Sequence, residues 1–81
     1  VEYNGTSVTL TFKEFELLAC LMRNRGIVLT REKLMEKVWG FDFEGETRTV
    51  DVHVKTLRQK LEAAGCTGLI RTVRSVGYKI N

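Results

Sequence analysis

Eighty-one residues, 43% apolar and 28% charged, describe one small folded domain and exclude barrel and doubly wound architectures, which need ~200 residues or more. No stretch approaches the ~18 consecutive apolar residues of a membrane span, and the polar, strand-like opening offers no signal peptide, so no membrane partner is expected. The net charge of +3 is unevenly placed: residues 1–47 hold six Lys/Arg against eight Asp/Glu, residues 48–81 seven against two, which gives the second half the charge of a polyanion-facing surface.

In residues 1–10, Asn4-Gly5 between β-forming residues predicts a tight hairpin. Two strands alone are not stable, so this hairpin must pack on something. Thr11 and Glu14 have the spacing of a capping box, and Leu10 and Phe15 that of a hydrophobic staple. Phe12, Phe15, Leu18, Ala19 and Met22 then recur at helical spacing up to a stop at Gly26. Ile27-Val28-Leu29 reads as an extended link. Thr30 caps a second helix with Leu34, Met35 and Val38 inward and Gly40 as its end. Gly40 to Glu46 reads as a loop rich in acids and aromatics. Thr47 caps a third helix to about Ala64, with Val50, Val54, Leu57 and Leu61 as its apolar seam. After Gly65 the period changes: Leu69–Val73, Arg74–Gly77 and Tyr78–Ile80 read as strand, turn, strand. The fold class is α+β, a three-helix core between an N-terminal and a C-terminal β-hairpin.

The third helix carries the functional argument. Opposite its seam, at roughly 140–240° from Val50, lie Arg48, Val52, Lys55, Thr56 and Gln59. That face lacks acids and mixes cationic, amide, hydroxyl and methyl groups, the chemistry with which side chains read base edges in a major groove. Arg58 and Lys60 flank it and suit phosphate contact. The terminal hairpin adds Arg71, Arg74 and Lys79, with Arg74 near its tip, where an arginine can enter a narrow minor groove. A helix-turn-helix followed by a basic hairpin is the winged form of the motif. The rival reading is a winged helix that binds an acidic protein instead of nucleic acid.

Enzyme and metal chemistry find no support. The single histidine, His53, has no recognisable nucleophile arrangement, and one histidine with two distant cysteines matches no zinc pattern. No cofactor is expected. Cys20 reads as a buried small hydrophobe and Cys66 as a loop thiol, both reduced, which points to a cytoplasmic location.

Taken in order, Leu10-Thr11, Glu14-Phe15, Leu17-Leu18, Thr30-Arg31-Glu32, Leu34, Val38-Trp39-Gly40, Arg48 to Val54, Leu57-Arg58, Lys60-Leu61, Ile70 to Arg74 and Gly77-Tyr78 resemble the DNA-binding effector domain of OmpR/PhoB-type response regulators over almost the whole chain. The resemblance implies a winged helix-turn-helix whose third helix, about 47–64, enters the major groove while the wing, 69–80, meets the minor groove. It implies base contacts from Val52, Thr56, Arg58 and Arg74, and backbone contacts from Trp39, Arg48, Thr49, His53, Lys55, Thr72 and Tyr78. It implies that Phe41, Asp42, Phe43, Glu44 and Glu46 form a loop that touches RNA polymerase. Relatives often carry two basic residues before the Leu-Arg pair; Thr56 occupies the second such position here and cannot grip guanine as arginine does. The resemblance also implies one effector domain of a longer two-component response regulator, its receiver domain absent from this sequence, pairing on promoter direct repeats.

Overall fold

The computed structural model describes residues 2–40 and 46–80. Its elements run β1 (Glu2–Tyr3), β2 (Thr6–Ser7), α1 (Phe12–Arg23), β3 (Leu29–Thr30), α2 (Arg31–Leu34), a π-helical turn continuing it (Met35–Trp39), α3 (Arg48–Ala63), β4 (Ile70–Val73) and β5 (Gly77–Ile80). Both hairpins and all three helices therefore stand where the residue pattern places them.

Asn4 and Gly5 both take positive φ (49° and 81°), the conformation a two-residue turn matched to strand twist requires. The hairpin packs at the far end of α3, where the Tyr3 ring comes within 4.0 Å of the position a side chain on Gly65 would occupy.

Helix α1 starts with the full capping box: the Glu14 amide donates to Thr11 Oγ1 (3.2 Å) and the Thr11 amide to Glu14 Oε1 (2.8 Å). Its buried face differs from the expected one. Leu17, Leu18, Cys20 and Leu21 enter the core, whereas Phe12, Phe15 and Met22 are exposed, Phe12 at 73%. The inward stripe is Glu14, Leu17, Leu18, Leu21, at i, i+3, i+4, i+7, and it begins with a carboxylate. Counting Glu14 as polar shifts the apparent apolar stripe onto the aromatic side.

The extended link after α1 is a strand. Leu29 and Thr30 pair with Tyr78 and Gly77, making a three-stranded antiparallel sheet of order β3-β5-β4. Thr30 also caps α2, accepting the Lys33 amide at 3.1 Å. Gly77 is required here by space: a Cβ on it would stand 1.9 Å from the Leu29 carbonyl oxygen. Thr47, expected to cap α3, is helical itself (φ −59°, ψ −20°) and makes no side-chain cap bond; the helix begins at Arg48. Backbone bonds from Thr49 to Glu46 (2.9 Å) and Val50 to Thr47 (3.0 Å) close the first turn instead.

The core joins Leu17, Leu21, Leu34, Val38, Val50, Val54, Leu57, Leu61, Ile70 and Ile80. The predicted seam of α3 is thus buried along its whole length. Cys20 and Cys66 are both free and both buried; Cys66, read from sequence as a loop thiol, lies in the core cluster.

Candidate nucleic-acid interface

Burying Val50, Val54, Leu57 and Leu61 turns the opposite side of α3 outward. Arg48, Lys55 and Gln59 are exposed there and Val52 is 52% exposed. Thr49, His53 and Thr56 sit at the edges, half-buried. Arg48, Thr49, Val52 and His53 line one shallow groove together with Glu46. His53 Nδ1 donates to the Thr49 carbonyl one turn back (2.8 Å), and its ring meets Trp39 edge-on, centroids 4.9 Å apart. Trp39, the last residue of the π-helical turn, packs against the core. The expected backbone-contact residues Trp39, Arg48, Thr49 and His53 are thereby gathered around the start of α3.

Two carboxylates hold α3 in place, and neither was read from sequence as a functional group. Glu14 is 2% exposed. Besides the Thr11 amide, it receives the Thr56 hydroxyl on Oε2 (2.7 Å) and the Lys60 ammonium on Oε1 (2.6 Å). Burial alone would raise the Glu14 pKa; the bonds from Lys60, the Thr11 amide, Thr56 and the Thr11 hydroxyl outweigh it and bring the value down to about 2. A buried carboxylate that accepts several charged or amide donors behaves this way.

Asp51 is the second anchor. It accepts Arg31 Nε at 2.8 Å and the Tyr78 hydroxyl at 2.5 Å. Burial works against the Asp51 carboxylate, yet the Tyr78 and Arg31 bonds keep its pKa below the ordinary value. Tyr78 moves the other way: burial first, then the Asp51 charge, raise its phenol. One aspartate on α3 therefore ties together α2 and β5.

The expected base-contact residues divide accordingly. Val52 is open on α3, and Arg74 is exposed in the turn between β4 and β5. Thr56 gives its hydroxyl to Glu14. Arg58 reaches to the wing, donating from Nη2 to the Ile70 carbonyl (3.1 Å) and to Thr72 Oγ1 (2.6 Å). Among the expected backbone contacts, Lys55 and Thr72 are exposed, whereas Tyr78 is 6% exposed. Of the loop residues, Glu46 is exposed; Phe41, Asp42, Phe43 and Glu44 lie outside the described residues. A sequence signal for the Glu14 anchor existed: a basic residue and a hydroxyl four apart on α3, Thr56 and Lys60, with the capping-box acid as the partner they lack.

Comparison with known proteins follows this geometry. The family model of the C-terminal part of transcriptional regulatory proteins matches residues 5–80. The sensory transduction protein RegX3 of Mycobacterium leprae is 53% identical over 81 residues, which cover 99% of this chain and 41% of that protein. The heme response regulator HssR of Staphylococcus saprophyticus is 47% identical, covering 100% of this chain and 36% of its own length. The chain thus spans about two fifths of the length of these relatives. Among solved structures, the DNA-binding domain of the response regulator AdeR, crystallised with an intercistronic region, superposes with a TM-score of 0.86 at 32% identity, over 100% of this chain and 82% of that one. The Klebsiella pneumoniae RstA DNA-binding domain, crystallised with the RstA box, gives 0.83 at 32% identity, over 98% and 79%. With a family model spanning nearly every residue and a three-helix, terminal-hairpin fold shared with response-regulator domains, the chain belongs to the family of C-terminal domains of transcriptional regulatory proteins, and its fold is their winged helix.

Proposed function

We propose that this domain binds double-stranded DNA sequence-specifically, as the effector part of a transcriptional response regulator in a two-component phosphorelay. The observation that carries the reading is α3. Its apolar seam is wholly buried, while Arg48, Val52, Lys55 and Gln59 project from the opposite side with no acid among them. Helix α3 enters the major groove, Lys55, Arg48, Thr49 and His53 fix register on phosphates, and Val52 meets base edges. Arg74 extends from the wing to the adjacent minor groove. Thr56, Arg58 and Tyr78 reach DNA only by releasing Glu14, the wing and Asp51. The solved complexes of AdeR and RstA domains with DNA support the reading by likeness.

One such domain buries only ~600–1,000 Å² of protein surface on DNA. Two copies on a direct repeat, brought together by receiver domains in a cytoplasmic full-length protein, supply the remaining affinity. The segment through Glu46 meets RNA polymerase.

Selecting bound duplexes from a random pool yields a cognate sequence, whose affinity is then compared with a scrambled duplex. The cognate duplex should bind at least ~10³-fold tighter. Equal affinity for both would leave generic polyanion attraction, and binding to an acidic protein alone would establish the rival class.

A further inference from the structure

Arg58 sits two turns after Asp51 on α3, and its guanidinium does not face outward. It donates to the Ile70 carbonyl (3.1 Å) and to Thr72 Oγ1 (2.6 Å) on β4, and its Cζ lies 5.5 Å from the centroid of the Tyr78 ring on β5. Thr72 and Tyr78 face each other in the strand register, so Arg58 holds both members of one cross-strand pair. The Tyr78 hydroxyl returns to Asp51 on the same helix. The wing is therefore fastened to α3 at two points, by Asp51 and by Arg58.

This fastening matters because of where it falls. β4 is the edge strand: β5 pairs with both β3 and β4, and nothing pairs with β4 beyond it. A two-stranded ribbon is marginal by itself, and Arg74 projects two residues past Thr72. Arg58 ties this outer strand to the helix by side-chain hydrogen bonds just inside that tip. A guanidinium suits the task, since its rigid fork can serve a carbonyl and a hydroxyl while its plane packs on an aromatic ring; a lysine has one point charge to offer.

We propose that Arg58 is a positioning residue that fixes the angle between α3 and the wing, and through it sets the spacing between the major-groove contact and the minor-groove reach of Arg74. The proposal rests on the docking described under Proposed function. It makes Arg58 a determinant of which flanking sequence the wing tip meets, not a reader of the bases under α3.

The test uses the 81-residue chain as wild type, Arg58→Ala, Arg58→Lys, Arg74→Ala and Arg58→Lys/Arg74→Ala. Each is measured on the selected cognate duplex with A·T-rich or G·C-rich flank at the wing side, and on a duplex scrambled under α3. Arg58→Lys keeps the cation and guards against a misfolded alanine variant. Arg58→Lys and Arg74→Ala should each reduce the flank ratio by about threefold to tenfold, and the double variant should fall no further than Arg74→Ala alone. The cognate-to-scrambled ratio of Arg58→Lys should stay within about twofold of wild type. Without DNA, the wing amides of Arg58→Lys should exchange about tenfold faster, as an unfastened ribbon opens locally. Loss of the cognate-to-scrambled ratio with the flank ratio intact would make Arg58 a base reader and overturn the proposal. Additive flank effects, or wing exchange unchanged from wild type, would overturn it equally. Wild type that discriminates cognate from scrambled but ignores the flank defeats the wing placement and this inference with it; wild type that does not discriminate at all defeats the DNA reading itself.

Discussion

Thr56 and Glu14, 42 positions apart in the chain, meet through a 2.7 Å hydrogen bond that draws the threonine hydroxyl away from the open side of α3. The bond makes the first turn of α1 a fixed reference for the position of the recognition helix. It also explains why a buried carboxylate persists in so small a core: Glu14 serves Thr11, Thr56 and Lys60 at once.

Replacing Glu14 with Gln removes the charge from a site built for it, and leaves the Lys60 ammonium beside a neutral amide. Losing one partner of a buried ion pair is strongly destabilising; about 2–4 kcal/mol is expected, read from chemical denaturation. The pH profile separates this effect from simple packing loss. The Glu14 pKa is about 2 in the folded chain against an ordinary 4.5, so its stabilisation is complete above the ordinary value and drains away as pH falls toward the folded one. Wild type should lose stability across that acid window, and Glu14→Gln should lose less of it. Parallel acid profiles would contradict the assignment.

Tyr78→Phe deletes the hydroxyl that Asp51 accepts and should cost about 1–3 kcal/mol. Its alkaline signature has the opposite direction to that of Glu14. The Tyr78 phenol is raised above its ordinary 10.0 by burial and the Asp51 charge, so the native state holds this proton more tightly than the unfolded chain. Stability is undiminished below the ordinary value and declines as pH climbs past it. Thermal melts at alkaline pH should show this decline in wild type and a smaller one in the variant.

Two threonines that look alike in the sequence should behave differently. Thr11 accepts the Glu14 amide, while Thr47 makes no cap bond. Thr11→Ala should cost about 1 kcal/mol and Thr47→Ala only a few tenths, by denaturant midpoint. Similar costs would mean that Thr47 does cap α3 in solution.

Lys55→Ala removes an exposed cation with no printed role inside the fold. It should weaken all duplexes alike and lower the slope of log affinity against log salt by about 1. A loss confined to the cognate duplex, measured by titration at several salt concentrations, would move Lys55 to the base-reading set.

What the sequence revealed follows from periodicity. Val50, Val54, Leu57 and Leu61 announce both the helix and its outward face, because burial on one side leaves the other to solvent. Asn4-Gly5 announces its turn, since both residues must take positive φ. The π-helical end of α2 and the pairing of Leu29–Thr30 with β5 were not legible, because a two-residue strand carries no period and its partner lies at the other end of the chain. Side chains that work inside the molecule were hidden for a related reason. Thr56 and Arg58 have the right residue types and the right angular position to meet DNA, and only long-range contacts, to Glu14 and to Thr72, show them already occupied. Glu14 itself was masked by its capping role, which accounts for one carboxylate oxygen and leaves the other to be found in space.

Gly77 pairs with Thr30 on one side and Val73 on the other, and a methyl group there would stand 1.9 Å from the Leu29 carbonyl oxygen. Variation in this sheet is therefore sharply graded over a few residues. The tip of the ribbon, Arg74 to Val76, is open to solvent and can be rewritten to suit a new target; its root admits a single amino acid, because anything larger would pry apart the strand that feeds α2 and the one that feeds the wing.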